Sequence, residues 1–408
     1  MSEQNMLFQP VKIGSITLKN RIIRSATYEG MCDSQGMPTD EYLNLYSKLA
    51  QNNIGAIITG CTYITKSGRV MQPKQAGIDD DAKIERYRQV TDQVHSHNGK
   101  IFMQLIHSGR QTIPEAVNGN VKGVSAKRSP YFRSIPKPLN TEEAFSMAQC
   151  FAEAALRCKK SGFDGVQIHV AHGYLIHQFL LPSINNRRDI FGVDKKSGIG
   201  THFLGVVIDS IRDKCGTDFP LLVKVSCGDD YFNGFSKDNF VQLIRFLDHK
   251  KVDAIEISYG TMDHALSIFR GKRVPIDAIL QYNPRYKSNN TFIRTMRRRI
   301  LYPFKKLQMK MFTLTYNLPY AKIAKQHTQI PVICIGGFRA KQEMIDAVGR
   351  GETDFISLCR PFICEPDLVN KLIANDSYKA KCLDCNMCAV MCDSPNSTKC
   401  YFGKAIQP

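Results

Sequence analysis

The chain has 408 residues, 43% of them hydrophobic, with 55 Lys and Arg against 37 Asp and Glu for a formal net charge of +18. That is ample for one large globular core with an appendage. No apolar run approaches the ~18 residues needed to span a bilayer, and the start "MSEQNMLFQPVKIG" has no charged-then-apolar signal pattern. A cytoplasmic protein without a membrane partner is the expectation, and in that reducing setting the 14 Cys read as thiols or metal ligands, not a disulfide framework. The charge excess is local: from Ile268 to Lys310 there are 12 Lys/Arg and one acid, Asp277. A local basic segment without a zinc-finger, helix-turn-helix or RNA-binding signature argues against nucleic acid as a partner.

Eight short apolar, β-branched runs recur along the chain. They are "RIIRSAT" (21–27), "IGAIITGCTYI" (54–64), "KIFMQLIH" (100–107), "DGVQIHV" (164–170), "PLLVKVSC" (220–227), "DAIEISYG" (253–260), "PVICIGG" (331–337) and "DFISLCRP" (354–361). Amphipathic helices are expected between them, among them 141–160, with a Thr-x-x-Ala start and no full capping box, and 236–250. Near-continuous apolar strands alternating with helices are parallel strands buried on both faces. Eight of them predict an α/β fold, a (β/α)8 TIM barrel with its site at the C-terminal strand ends. A doubly wound sheet is the alternative, but neither G-x-G-x-x-G nor a P-loop occurs. Two regions exceed a minimal barrel: a basic insertion after strand six (268–320), and a Cys-rich extension. The expected division is therefore a barrel over 1–375 and a separate segment over 376–408.

The polar residues of these runs gather at one end of such a barrel: Thr27, Cys61, Gln104, His169, His172, Lys224, Gly336, Gly337, Cys359 and Arg360. Glycine amides after strand seven and an arginine after strand eight make the phosphate site common in these barrels; the plainer reading is a tight turn and a surface charge. A buried Gln and a cation at mid-barrel suit a flat, hydrogen-bonding, electron-accepting ring.

The blocks "LKNRIIRSATYEG", "FMQLIHSGR", "IHVAHGYLIHQFLLPSINNRRDIFG", "PVICIGGFR" and "LCRPFICEPDLVNK" resemble the signatures of the Old Yellow Enzyme family of FMN-dependent oxidoreductases. The likeness runs from about Phe8 to Cys400, and the cysteine tail points to the branch that includes the barrel domain of bacterial 2,4-dienoyl-CoA reductase. The resemblance implies that Ser25, Ala26 and Thr27 lie along the flavin, that Cys61 lines its ring, that Gln104 bonds its pyrimidine side, and that Lys224 sits by N1/O2. It further implies that Gly336, Gly337, Cys359 and Arg360 hold the ribityl phosphate. Lys224 departs from the arginine of many members, Cys359–Arg360 from their Gly-Arg, and "FGVDKK" from their Gly-Gly.

On that resemblance His169 and His172 both donate N–H to one carbonyl oxygen over the flavin, so that hydride adds at the β-carbon of an α,β-unsaturated carbonyl or thioester. Tyr174 is placed to protonate the α-carbon as general acid. His177 is expected to be structural, and His264 a further donor near the site. Two rival functions keep the fold: an amine or alcohol dehydrogenase, and a non-catalytic flavin redox adaptor.

In the tail, Cys382, Cys385, Cys388 and Cys392 match a C-x2-C-x2-C-x3-C ferredoxin run. The relatives imply Cys400 as fourth ligand with Cys382, Cys385 and Cys388, leaving Cys392 spare. A 4Fe-4S cluster is expected, with zinc the alternative, because spacing alone does not choose between them. The sequence ends at Pro408 without the FAD- and NAD(P)H-binding domains of long relatives. Electrons are therefore expected from NAD(P)H directly, or from a separate reductase or ferredoxin-like donor; a homo-oligomer is compatible with this reading. Finally, Phe292, Met296, Ile300, Phe304, Leu307 and Met311 form a helical apolar stripe backed by cations and interrupted at Pro303. It is expected either to pack the stripe on the barrel with the basic face in water, or to serve as a lid, a dock for an acidic redox partner, or a membrane-surface helix.

Overall fold

The computed structural model describes residues 6–232 and 234–401. The eight runs form parallel strands β1 (Ile22–Arg24), β2 (Ala56–Ile58), β3 (Ile101–Ile106), β4 (Gly165–Val170), β5 (Leu221–Ser226), β6 (Ala254–Ser258), β7 (Val332–Ile335) and β8 (Phe355–Leu358). Each pairs with the next, and β8 pairs back with β1, so the sheet closes into a (β/α)8 barrel. Nearly every strand residue is buried, which is why the runs are apolar almost without interruption. Ile23, Ile58, Phe102, Leu222, Ile333 and Phe355 fill the barrel's interior together with Ile13 and Leu18 of a short antiparallel ribbon.

The helices fix the loops. Helix α1 (Thr141–Lys160) has the capping box the sequence reading missed. The Asn140 side chain accepts from Glu143 N at 2.8 Å, and the Glu143 carboxylate accepts from Asn140 N at 2.9 Å; the cap lies one residue earlier than Thr141. Helix α2 (Leu175–Leu180) follows the histidine loop, and α3 (Lys237–His249) starts on a Ser236 cap.

The basic insertion forms α4 (Thr291–Gln308), which runs through Pro303 and is not interrupted there. Its packing is the reverse of the first arrangement expected, a stripe packed on the barrel with the basic face in water. The half-buried residues are Arg294, Arg297, Leu301 and Lys305, spaced three and four apart along the inner face. Arg297 donates to Tyr286 O at 2.8 Å and Lys287 O at 3.0 Å, and the Lys305 ammonium stands 5.2 Å from the Tyr286 ring centroid. The apolar stripe faces water.

After β8 come α5 (Arg360–Cys364) and, in the Cys-rich segment, α6 (Met387–Met391). This segment lies over the C-terminal strand ends. Lys272 N donates to Asp384 O at 2.9 Å, Thr398 N to Glu29 O at 2.7 Å, and Asn386 Nδ2 to Phe269 O at 2.7 Å. Among the described residues no helix is long and apolar enough to cross a membrane.

Candidate active site

Parallel register builds the site's floor. Gln104 pairs with Gln167 across β3 and β4, while Lys224 is flanked by His169 on β4 and Glu256 on β6. The inward side chains interlock: Gln104 Nε2 donates to Gln167 Oε1 at 2.7 Å and Gln167 Nε2 to Glu256 Oε2 at 3.0 Å. Ser357 donates to Glu256 Oε1 at 2.7 Å, and Lys224 Nζ reaches Ser25 Oγ at 2.9 Å and Glu256 at 3.3 Å. With side chains 4% and 0% exposed, Lys224 and Glu256 survive burial only as a pair. Burial alone would raise the Glu256 carboxyl, but Lys224 and the bonds from Ser357, Ser25 and Gln167 outweigh it and hold the group below its ordinary value. Glu256 and Gln167 are absent from the sequence-based candidates, although a lone acid in "DAIEISYG" is a signal.

Above this floor opens a cavity of about 280 Å³. Ala26, Thr27, Cys61, Gln104 and Lys224 line it, as do His169, His172, Tyr174, Cys359 and Arg360. Ser25 sits just behind, holding Lys224. His172 occupies left-handed backbone, φ 61°, a conformation that costs an ordinary residue about 1–2 kcal/mol. Its backbone is pinned by Met262 N donating to His172 O at 2.8 Å and His172 N donating to Ser226 Oγ at 3.1 Å. Such strain, held by its surroundings, concentrates at functional sites.

The two imidazoles do not converge on a common point as expected. His172 Nδ1 lies 3.2 Å from His169 Nε2, and His172 Nε2 lies 2.8 Å from Ser258 Oγ, so both ring nitrogens of His172 are engaged. His169 Nδ1 is buried and unpartnered. Burial, with Lys224 nearby, holds both rings well below the usual histidine range, so both are neutral at pH 7. Tyr174 packs against His169 with ring centroids 5.0 Å apart, and burial pushes its hydroxyl well up, keeping it protonated. His177 instead accepts Gly173 N at 2.9 Å and supports the loop. His264 reaches the cavity, its ring 5.2 Å from Tyr231.

At the far end, Gly336 and Gly337 have φ of 123° and 89°, open to glycine alone. A Cβ on Gly336 would stand 2.4 Å from the Tyr316 ring. Around Tyr316 gather Arg360, Arg270 and Arg339, and Nε of both Arg270 and Arg339 is buried without a partner. Arg360 has only 10% of its side chain exposed, bonds Asn386 at 2.8 Å, and is no free surface charge. Arg270 and Arg339 escaped sequence reasoning because only folding brings 270, 339 and 360 together. Asp393, its carboxyl pushed up by burial to about 6, is another cavity residue missed.

The donor set fits FMN: an amide–ammonium floor for the ring, orphaned imidazole nitrogen above it, and orphaned guanidinium N–H groups beside the paired glycines for a phosphate. The cysteines do not fit a cluster as arranged. Among the described residues no three His, Cys, Asp or Glu side chains are grouped to hold a metal. Cys400 neighbours the Cys364 thiol, which burial and Cys400 push up to about 12, Cys392 donates to Cys388 O at 3.3 Å, and Cys382 points to Asp384 at 3.9 Å. Only Cys388 and Cys392 of the five line the cavity. The expected set Cys382, Cys385, Cys388 and Cys400 is not brought together; Cys400 lies beside Cys364 of α5 instead.

A closed parallel barrel with one polar-floored cavity at its C-terminal mouth defines a barrel enzyme. The NADH:flavin oxidoreductase / NADH oxidase family profile matches residues 6–295, and the chain belongs to that family, whose members are FMN- and NAD(P)H-using oxidoreductases. It is 32% identical over 272 residues to an NADPH dehydrogenase of Geobacillus thermodenitrificans, covering 66% of this chain and 78% of that protein. It is 25% identical over 408 residues to a 4,4'-dithiodibutanoate disulfide reductase of Rhodococcus erythropolis, covering 98% and 96%. Among solved structures, a 2-naphthoyl-CoA reductase complexed with 2-naphthoyl-CoA superposes with a TM-score of 0.80 at 20% identity, covering 97% of this chain. This chain spans 56% of that structure's length, and the likeness is one of fold.

Proposed function

We propose that this protein reduces an activated carbon–carbon double bond, in an α,β-unsaturated carbonyl or an enoyl or dienoyl thioester. One observation carries the reading: an unpartnered, buried nitrogen of a neutral histidine, His169 Nδ1, beside the protonated Tyr174 in the cavity. When bound, FMN supplies the hydride. Ser25, Ala26, Thr27, Cys61, Gln104 and Lys224 would hold its ring; Gly336, Gly337, Cys359 and Arg360, joined by Arg270 and Arg339, would hold its phosphate.

The hydrogen-bond chain sets the tautomers. For His169 Nδ1 to carry a proton, its Nε2 must accept from His172 Nδ1–H, and His172 Nε2 must accept from the Ser258 hydroxyl. Ser258 thus orients a relay that ends in one N–H aimed at the substrate carbonyl. As negative charge grows on that oxygen, the neutral relay stabilises it without giving up a proton; removing such a donor typically costs about 10²–10³-fold in rate. Tyr174 gives its hydroxyl proton to the α-carbon, and solvent restores it after product leaves. On the same reading the chain divides into a barrel over 1–375, with the insertion at 268–320, and a segment over 376–408, whose described residues 376–401 lie over the barrel's mouth.

Tyr174→Phe separates this from the dehydrogenase and adaptor readings. Enone turnover is expected to fall about 10²-fold or more while anaerobic reduction of bound flavin by NAD(P)H keeps its rate. Unchanged turnover across a panel of enones and enoyl thioesters would sink the proposal.

A further inference from the structure

Helix α4 is amphipathic in the wrong direction for a protein surface. It meets the body through Arg294, Arg297, Leu301 and Lys305, and none of its residues is buried. Outward it presents Phe292 at 73%, Phe304 at 62% and Leu307 at 85% exposure, with Met296 and Ile300 between them. A contiguous apolar patch of this kind marks a binding surface. The exposed Arg298, Arg299 and Lys306 border it. Arg298 reaches the exposed Asp277 at 3.3 Å, and beyond that residue the sequence holds no acid until Glu343.

We propose that α4 is an interfacial helix that docks the protein on an anionic phospholipid surface. Charge decides between the occupants. A second copy would bring the same cationic border against itself, without an acid in the helix to answer it. An anionic bilayer supplies both needs: headgroup charge for Arg298, Arg299 and Lys306, and an acyl boundary for Phe292, Phe304 and Leu307. Lys305 and Gln308 of the same helix line the candidate active site's cavity, so docking turns that mouth toward the lipid. This departs from the expectation of no membrane partner.

The chain contains no Trp, so Leu307→Trp makes a single-site reporter. The flavin-loaded full chain is mixed with vesicles of phosphatidylglycerol and phosphatidylcholine, or of phosphatidylcholine alone, and pelleted. Sedimentation with the anionic vesicles only, a shift of the introduced indole's emission to shorter wavelength on binding, and loss of both at high salt are expected. Arg299→Gln should weaken binding about fivefold. The double variant Phe304→Glu/Leu307→Glu should abolish it while leaving NAD(P)H-driven flavin reduction unchanged. Undiminished binding by the double variant would assign the effect to net charge alone and overturn the proposal. So would absence of vesicle binding by a normally folded wild type, whether the patch then proves to cover a second copy (a dimer in sedimentation velocity, lost in Leu307→Glu) or binds an added acidic flavodoxin.

Discussion

The barrel floor and helix α4 both break the rule that apolar groups go inward and charges outward, and they break it in opposite ways. At the floor, Gln104, Gln167, Lys224 and Glu256 are buried and answer one another within hydrogen-bond distance. On α4, large apolar side chains are exposed to water, Phe292 and Leu307 most of all. The first exception is closed inside the molecule, by pairing; the second leaves its apolar face to something outside it. A buried charge that lacks its partner destabilises the fold at once, whereas an exposed apolar side chain costs the folded state little, because it is exposed in the unfolded chain too. Substitutions at the two places should therefore differ greatly in their effect on stability.

The largest effect is expected at the floor. Glu256→Leu leaves the buried Lys224 without its counter-charge, with the Ser25 hydroxyl alone against it, and should destabilise by about 3–5 kcal/mol, read by chemical denaturation. Removing both charges, with Lys224→Met added to Glu256→Leu, should recover most of that loss, since a buried pair contributes little net stability against apolar isosteres. Flavin binding should stay impaired in the double variant. If the double variant is as unstable as the single one, the pair is not the closed unit described above. The Glu256 charge also carries an acid limb: its folded value lies below the ordinary one. Its contribution is present above the unfolded value of about 4.3 and is lost as pH falls through the folded one.

How legible was this contrast in the sequence? The eight strands were, because a parallel barrel buries both faces and forces the apolar runs. The histidine loop was too, since His169, His172 and Tyr174 share one stretch of chain. What escaped depends on convergence in space. Arg270 and Arg339, from two loops, and Arg360, at the start of α5, meet around Tyr316. Ser258 joins the histidine relay only through the packing of β6 beside the loop after β4. The cysteine spacing was legible, but the partnership of Cys400 with Cys364 was not, since nothing in the tail's spacing points to α5. Pro303 misled for a local reason. Proline removes one N–H and crowds the carbonyl four residues back, but on an exposed helix water can satisfy that carbonyl, and α4 continues.

Acid should expose a second difference between the two regions. His107 and His177 are buried, and desolvation holds each down to about 3; α4 contains no histidine. The folded state binds fewer protons than the unfolded chain between that value and the unfolded one of about 6.5, so stability must fall as pH drops through this window. By pH 5.5 the two should remove roughly 3 kcal/mol together, with His169 and His172 adding in the same direction. Denaturant midpoints at pH 7.5, 6.5 and 5.5 test this. A flat profile would mean that these rings are not held neutral by burial. Because burial holds both relay rings well below the usual histidine range, kcat should show no histidine limb between pH 6 and 8.

The smallest effect belongs to the helix. In an ordinary amphipathic helix, replacing a Leu of the apolar stripe by Glu buries a charge and costs several kcal/mol. On α4 the stripe lies outside, so Leu307→Glu should change the unfolding free energy by no more than about 0.5 kcal/mol, with the helical circular dichroism unchanged. Leu301, the apolar residue on the inner face, is the internal control: Leu301→Lys should cost clearly more, because it sets a further cation four residues from both Arg297 and Lys305 where the helix meets the body. If Leu307→Glu proves the costlier of the two, then the stripe packs on the protein in solution and α4 has the ordinary orientation. If the order is as stated, the helix keeps its apolar face outward at little cost to the fold, which leaves that face free to be used.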